Sequence, residues 1–163
     1  MIDDFVLYHV IRPTAAVMLR QMYNCAQIVG KGAAEITEVS AAIIYDSDGS
    51  ILICRRGEGG NCAYLWELPG GKREAGETME ECLVRECREE LDIEIGIDSL
   101  YDEFVYDYPD RTIRFAFFEV RIISGTPRTN VHSDMRWVNR RGLADFDFCP
   151  ADAGLVERLS RDI

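Results

Sequence analysis

The sequence predicts an α/β fold: one compact unit over residues 37–163, preceded by an extension over residues 1–36. Three observations point there. Apolar runs of strand length, rich in β-branched residues, recur at 39–45, 50–54, 112–123 and 135–139. Two helical segments, 77–91 and 151–159, interleave with them. Finally, 163 residues of which 47% are apolar suffice for a single buried core.

The elements follow in chain order. Residues 2–11 fit a strand or a short helix, and Pro13 stands where a helix can begin. Across 15–28 the apolar positions Ala15, Met18, Leu19, Met22, Cys25 and Ala26 keep a helical rhythm. This amphipathic extension must cover something, either its own domain or a second subunit in a homodimer. The run at 39–45 reads as a buried strand. Asp46-Ser47-Asp48-Gly49 is turn chemistry, and 50–54 is the expected return strand of a hairpin. Residues 57–61 form a loop, and 65–68 are short and extended before Pro69-Gly70-Gly71. The helix at 77–91 carries acids in its first turn, where the positive dipole end favours them. Residues 93–108 are strand-rich, Pro109-Asp110 turns the chain, and Pro150 opens the closing helix.

Composition narrows the function classes. With 18 Lys+Arg against 29 Asp+Glu, the net charge of −11 argues against non-specific binding to nucleic acid or to an anionic membrane. It leaves a small nucleotide open as a substrate, because a bound cation reverses the local charge. The six cysteines show no CxxC spacing, and the two His form no zinc pattern with them, so small buried thiols in a reducing cytoplasm are expected. Asp3 and Asp4 stand where a signal peptide would be basic, and no run approaches the length of a membrane span.

Charge is densest over 71–92, with eight acids and four bases in 22 residues. On an ideal helix Glu86, Glu89 and Glu90 fall within an arc of about 100°, with Val84, Cys87 and Leu91 on a separate apolar flank. Such carboxylates repel each other. A hard divalent cation, Mg²⁺ or Mn²⁺, would offset that repulsion through oxygen ligands. Arg85 could brace one of the acids. On spacing alone, a solvated acidic face is the more ordinary reading, since acidic helices are common.

The spacing is part of a longer pattern. Gly71, five residues, Glu77, seven residues, then Arg85-Glu86-Cys87-x-Glu89-Glu90-x-Asp92-Ile93 closely resembles the Nudix box, here spanning 71–93. Trp66-Glu67-Leu68-Pro69-Gly70-Gly71-Lys72, Tyr108-Pro109-Asp110-Arg111 and Cys149-Pro150-Ala151-Asp152 resemble segments of MutT-like members, and the similarity covers about 38–161. The resemblance implies an α/β/α sandwich with a mixed central sheet. It also implies a Mg²⁺-dependent pyrophosphohydrolase, in the MutT-like branch one that cleaves a nucleoside triphosphate to a monophosphate and pyrophosphate. Alternatives are other diphosphates, such as nucleotide sugars or dinucleoside polyphosphates, or a non-catalytic nucleotide sensor.

Carried over residue by residue, the resemblance assigns the metal to Glu86, Glu89, Glu90 and the Gly70 carbonyl. It makes Glu86 and Glu90 candidate catalytic carboxylates, with Arg85 orienting them. Arg56 would approach the phosphates and Leu68 would line the base pocket. Asp110, Arg111 and Asp152 would contact the substrate. Three departures stand out. Asp92 replaces the glycine that ends the family's helix, an αL position that Asp tolerates better than most residues. Asp152 replaces an Asn, and an ionised Asp accepts hydrogen bonds but cannot donate them. Where many relatives carry a late catalytic Glu, this chain reads Val131-His132-Ser133-Asp134; His132 or Asp134 could substitute, or the loop could equally be only a linker.

Overall fold

The computed structural model describes residues 36–60 and 62–161. The expected N-terminal helix, and any dimer contact through it, lie outside these residues. The strands are β1 (Thr37–Ile44), β2 (Ile51–Arg55), β3 (Trp66–Glu67), β4 (Gly70–Lys72), β5 (Ile93–Asp107), β6 (Thr112–Gly125) and β7 (Asp134–Val138). The helices are α1 (Met79–Leu91) and α2 (Pro150–Arg161), with a 3-10 turn at Arg140–Asp145 before α2.

Two sheets form the middle layer. One runs β4-β1-β6-β5, with β1 and β6 parallel and the other pairs antiparallel; the other is the antiparallel β3-β2-β7. Because side chains alternate along a strand, adjacent residues serve opposite faces. Ile43, Ile51, Ile53 and Phe117 join Leu155 and Leu159 of α2 in one core. Ile44, Leu52, Cys54 and Phe118 join Leu83, Cys87 and Leu91 of α1 in another. Apolar side chains on both faces of these strands therefore require a helix on each side, which is the sandwich. Cys54, Cys82, Cys87 and Cys149 are buried free thiols, and Cys62 is partly exposed. No helix among the described residues is long and apolar enough to cross a membrane.

The hairpin expected across 46–49 does not form. The turn closes, with Asp46 N–H donating to Ser50 O at 3.0 Å and one bridge pairing Tyr45 with Ile51. Beyond it, β1 and β2 part into different sheets. The edge of β1 is taken by β4, with Val39, Ser40 and Ala41 opposite Lys72, Gly71 and Gly70, and Ala42 N–H donates to Pro69 O at 2.8 Å. Residues 70–72, for which the sequence predicts no element, are thus a strand.

The helix expected from residue 77 begins at 79. Thr78 caps it in a reciprocal box: Glu81 N–H donates to Thr78 Oγ1 at 3.1 Å, and Thr78 N–H donates to Glu81 Oε2 at 2.8 Å. Its C-cap, Asp92, is left-handed at φ 59°, ψ 38°, with its N–H donating to Arg88 O at 3.1 Å. Asp therefore occupies the conformation expected of the family's glycine.

Candidate active site

The site is assembled where α1 passes behind β4. A Cβ placed on Gly71 would lie 2.2 Å from Glu86 Cδ, so only glycine leaves room for that carboxylate against the strand. Arg85 braces the group. Its Nη1 donates to Glu86 Oε1 at 2.9 Å and to Glu89 Oε2 at 3.2 Å, while Nε and Nη2 grip the two oxygens of Glu77 at 3.1 and 2.8 Å. Nη2 also donates to Lys72 O at 3.0 Å, tying the helix to β4. Glu77, expected inside the helix, lies just before it. Arg85 and the Glu74 N–H hold the Glu77 carboxyl down at about 2, far below the usual range.

The three carboxylates do not share one environment. Glu89 is 59% exposed at its side chain and Glu90 only 21%. Glu90 Oε2 is buried with no hydrogen-bond partner, and burial, reinforced by the Glu86 and Glu67 charges against an opposing His132, pushes Glu90 up to about 7. Among the described residues no three His, Cys, Asp or Glu side chains are gathered tightly enough to hold a metal ion. The orphaned, anionic-capable oxygen of Glu90 nonetheless fits a cation ligand, because an unpaired buried carboxylate is costly.

On the far side of β4 lies a cavity of about 490 Å³. Its walls include Arg56, Leu68, Gly70, Arg111 and Asp152, so five of the residues singled out from the sequence meet there. Leu68 is 3% exposed and serves the core as well as the cavity wall. Arg111 extends over the Tyr108 ring, 5.4 Å from its centroid. Asp110 does not line the cavity; its carboxylate is 60% exposed, 3.9 Å from Arg111. Asp152, in the first turn of α2, is 6% exposed and accepts from Leu68 N–H at 3.4 Å. Burial, with the Glu67 charge adding, pushes its carboxyl up to about 7.

Two residues escaped the sequence reading as a pair. Glu67 accepts from Arg56 Nη1 at 2.7 Å and from Cys149 Sγ at 3.9 Å, both on Oε2, and its Oε1 lies 3.3 Å from His132 Nε2. Glu67 belongs to the Trp66-Glu67-Leu68-Pro69-Gly70-Gly71 segment, in which the resemblance assigns roles only to Leu68 and Gly70. Nothing local distinguishes a carboxylate that three separate chain segments will surround.

A family profile described as NUDIX domain matches residues 40–158. The chain belongs to the Nudix family. As a MutT-like Nudix protein it is a pyrophosphohydrolase. It is 38% identical over 125 residues to the 8-oxo-dGTP diphosphatase of Haemophilus influenzae, covering 77% of this chain and 92% of that one. It is 34% identical over 123 residues to the CTP pyrophosphohydrolase of Escherichia coli, covering 76% and 90%. A solved structure from a study of MutT from Aliivibrio salmonicida and Vibrio cholerae superposes with a TM-score of 0.65 at 30% identity, over 78% of this chain and 98% of that one. The mixed sheet with a helix on each face is the Nudix architecture that these neighbours share.

Proposed function

We propose that this Nudix protein is a Mg²⁺-dependent nucleoside-triphosphate pyrophosphohydrolase that releases a nucleoside monophosphate and pyrophosphate. One observation carries the reading: a single cavity beside the acidic helix is lined by apolar and hydrogen-bonding side chains, Leu68, Tyr108 and Asp152, together with three cations, Lys72, Arg56 and Arg111. That combination suits a base and a polyphosphate.

Glu86, Glu89, Glu90 and the Gly70 carbonyl would hold Mg²⁺, with Mn²⁺ as a substitute. When bound, the cation neutralises charge on the phosphoryl oxygens and makes a bound water more acidic. The protein's own groups do the rest. Arg85 orients Glu86, while Lys72, Arg56 and Arg111 draw the phosphates to the acidic helix. Glu86 and Glu90 stand as candidate bases for the attacking water. The test is a panel of oxidised and ordinary nucleoside triphosphates, nucleotide sugars and dinucleoside polyphosphates, assayed with Mg²⁺. Monophosphate and pyrophosphate from a triphosphate are expected. Product from none of them, or from nucleotide sugars alone, overturns the reading.

Asp152 bears on base choice. Below about pH 7 its protonated carboxyl both donates and accepts, as the Asn of relatives does; above that it only accepts. For a base edge that presents a donor beside an acceptor, such as an oxidised guanine, KM is expected to rise between pH 6 and pH 8. In Asp152→Asn the KM should be flat across that window. Parallel pH profiles of the two proteins would refute the assignment.

A further inference from the structure

A second, smaller cavity opens beside Glu90, lined by Arg56, Glu67, Glu90, Val131 and His132 among others. His132 belongs to the loop between β6 and β7, and two sets of hydrogen bonds determine where that loop runs. On one side Arg128 N–H donates to Leu91 O at 2.9 Å and Asn130 N–H to Glu90 O at 3.1 Å, while Asn130 Nδ2 donates to Glu89 O at 3.0 Å. These satisfy carbonyls that the last turn of α1 leaves free. On the other side Ser133 N–H donates to Arg55 O at 2.9 Å, and its hydroxyl donates to Arg56 O at 2.9 Å. The two anchors hold His132 between the end of α1 and the end of β2.

The imidazole is 5% exposed. Its Nε2 lies 3.3 Å from Glu67 Oε1 and 3.8 Å from Glu90 Oε2, so one nitrogen spans two carboxylates that would otherwise repel. Asp134, the other residue at this place in the sequence, is engaged elsewhere: it accepts from Met135 N–H at 2.8 Å and from Arg136 Nη2 at 2.9 Å.

We propose that His132 is a positioning residue, holding Glu67 and keeping the free oxygen of Glu90 turned toward the metal site. This rests on the reading of Glu90 as a metal ligand. His132 Nε2 lies closer to Glu67 Oε1 than to Glu90 Oε2, and the Glu90 oxygen keeps no hydrogen-bond partner beside the cavity. Partners behind a ligand typically change metal affinity by about 10- to 100-fold.

The experiment is a Mn²⁺ titration of the full nucleotide-free chain, read by the spin-resonance signal of free Mn²⁺, with kcat and KM measured in parallel. His132→Ala is expected to bind Mn²⁺ at least about tenfold more weakly, with kcat falling and KM little changed. His132→Gln can place its amide nitrogen near the Nε2 position and should retain most of both, whereas His132→Asn is too short and should not. Native-like Mn²⁺ binding by His132→Ala overturns the proposal, as does equal impairment of the Gln and Asn variants. A native chain that binds Mn²⁺ yet hydrolyses nothing defeats the substrate reading, while the Mn²⁺ comparison still decides the role of His132.

Discussion

Glu90→Gln is expected to lose about 100- to 1000-fold in turnover while unfolding no more easily than the native protein. The loss follows from the Glu90 Oε2, the one buried oxygen among the α1 carboxylates that lacks a partner. Gln fills the same space but has no charge with which to hold a cation. Electrostatic deletions at this kind of site cost a few kcal/mol of transition-state stabilisation. Stability moves the other way. The Glu90 carboxyl rises from its ordinary 4.5 to about 7 in the folded protein. Between those values the folded state binds more protons than the unfolded one, so the native chain loses stability as pH climbs through the window. The shift corresponds to a cost on the order of 3 kcal/mol once both states are ionised, which the neutral amide avoids. In the presence of a chelator the Gln variant should therefore gain in melting temperature relative to native from pH 5 to pH 8. Near-native turnover would remove Glu90 from the metal site. A melting difference that does not change with pH would refute the burial argument.

The neighbouring glycines of β4 should fail in opposite ways. Gly70 has φ +155°, and a Cβ there would lie 2.1 Å from Ser40 O and 2.7 Å from Ala41 Cα, both backbone atoms of β1. Neither can yield without opening the β1–β4 pairing. Overpacking and a disfavoured backbone together should cost Gly70→Ala about 4 kcal/mol or more. At Gly71 the obstruction is the end of the Glu86 side chain, which can swing away. Gly71→Ala should fold with less than about 1 kcal/mol lost yet fall about 100-fold in turnover, because a displacement of about 1 Å at a reacting group has that effect. Urea unfolding and steady-state kinetics on both variants check this. Equal stabilities would show that the close approach of β4 to β1 is relaxed. An active Gly71→Ala would show that Glu86 does not need its place against the strand.

What the sequence determined by itself is what neighbours along the chain decide. Helical periodicity marked residues 77–91, and the box spacing set Arg85, Glu86, Glu89 and Glu90 on one helix. The likelihood of Asp over other residues at an αL cap predicted the Asp92 end, because each of these depends on contacts within a few residues. Strand partners were not legible in the same way. The turn at 46–49 closes as a hairpin turn does, but which strand claims the edge of β1 is settled by β4, some 25 residues on, through an approach only Gly70 permits. The different exposures of Glu89 and Glu90 were likewise hidden, since spacing puts both on one arc and only the packing of α1 against the sheet and the loop at His132 buries the second. Asp152 read as a charged substitute for Asn, until burial beside Glu67 raised its carboxyl to about 7. Proton affinity depends on what surrounds a group in space, and the Glu67, His132 and Arg56 cluster draws those surroundings from three segments that only the tertiary fold brings together.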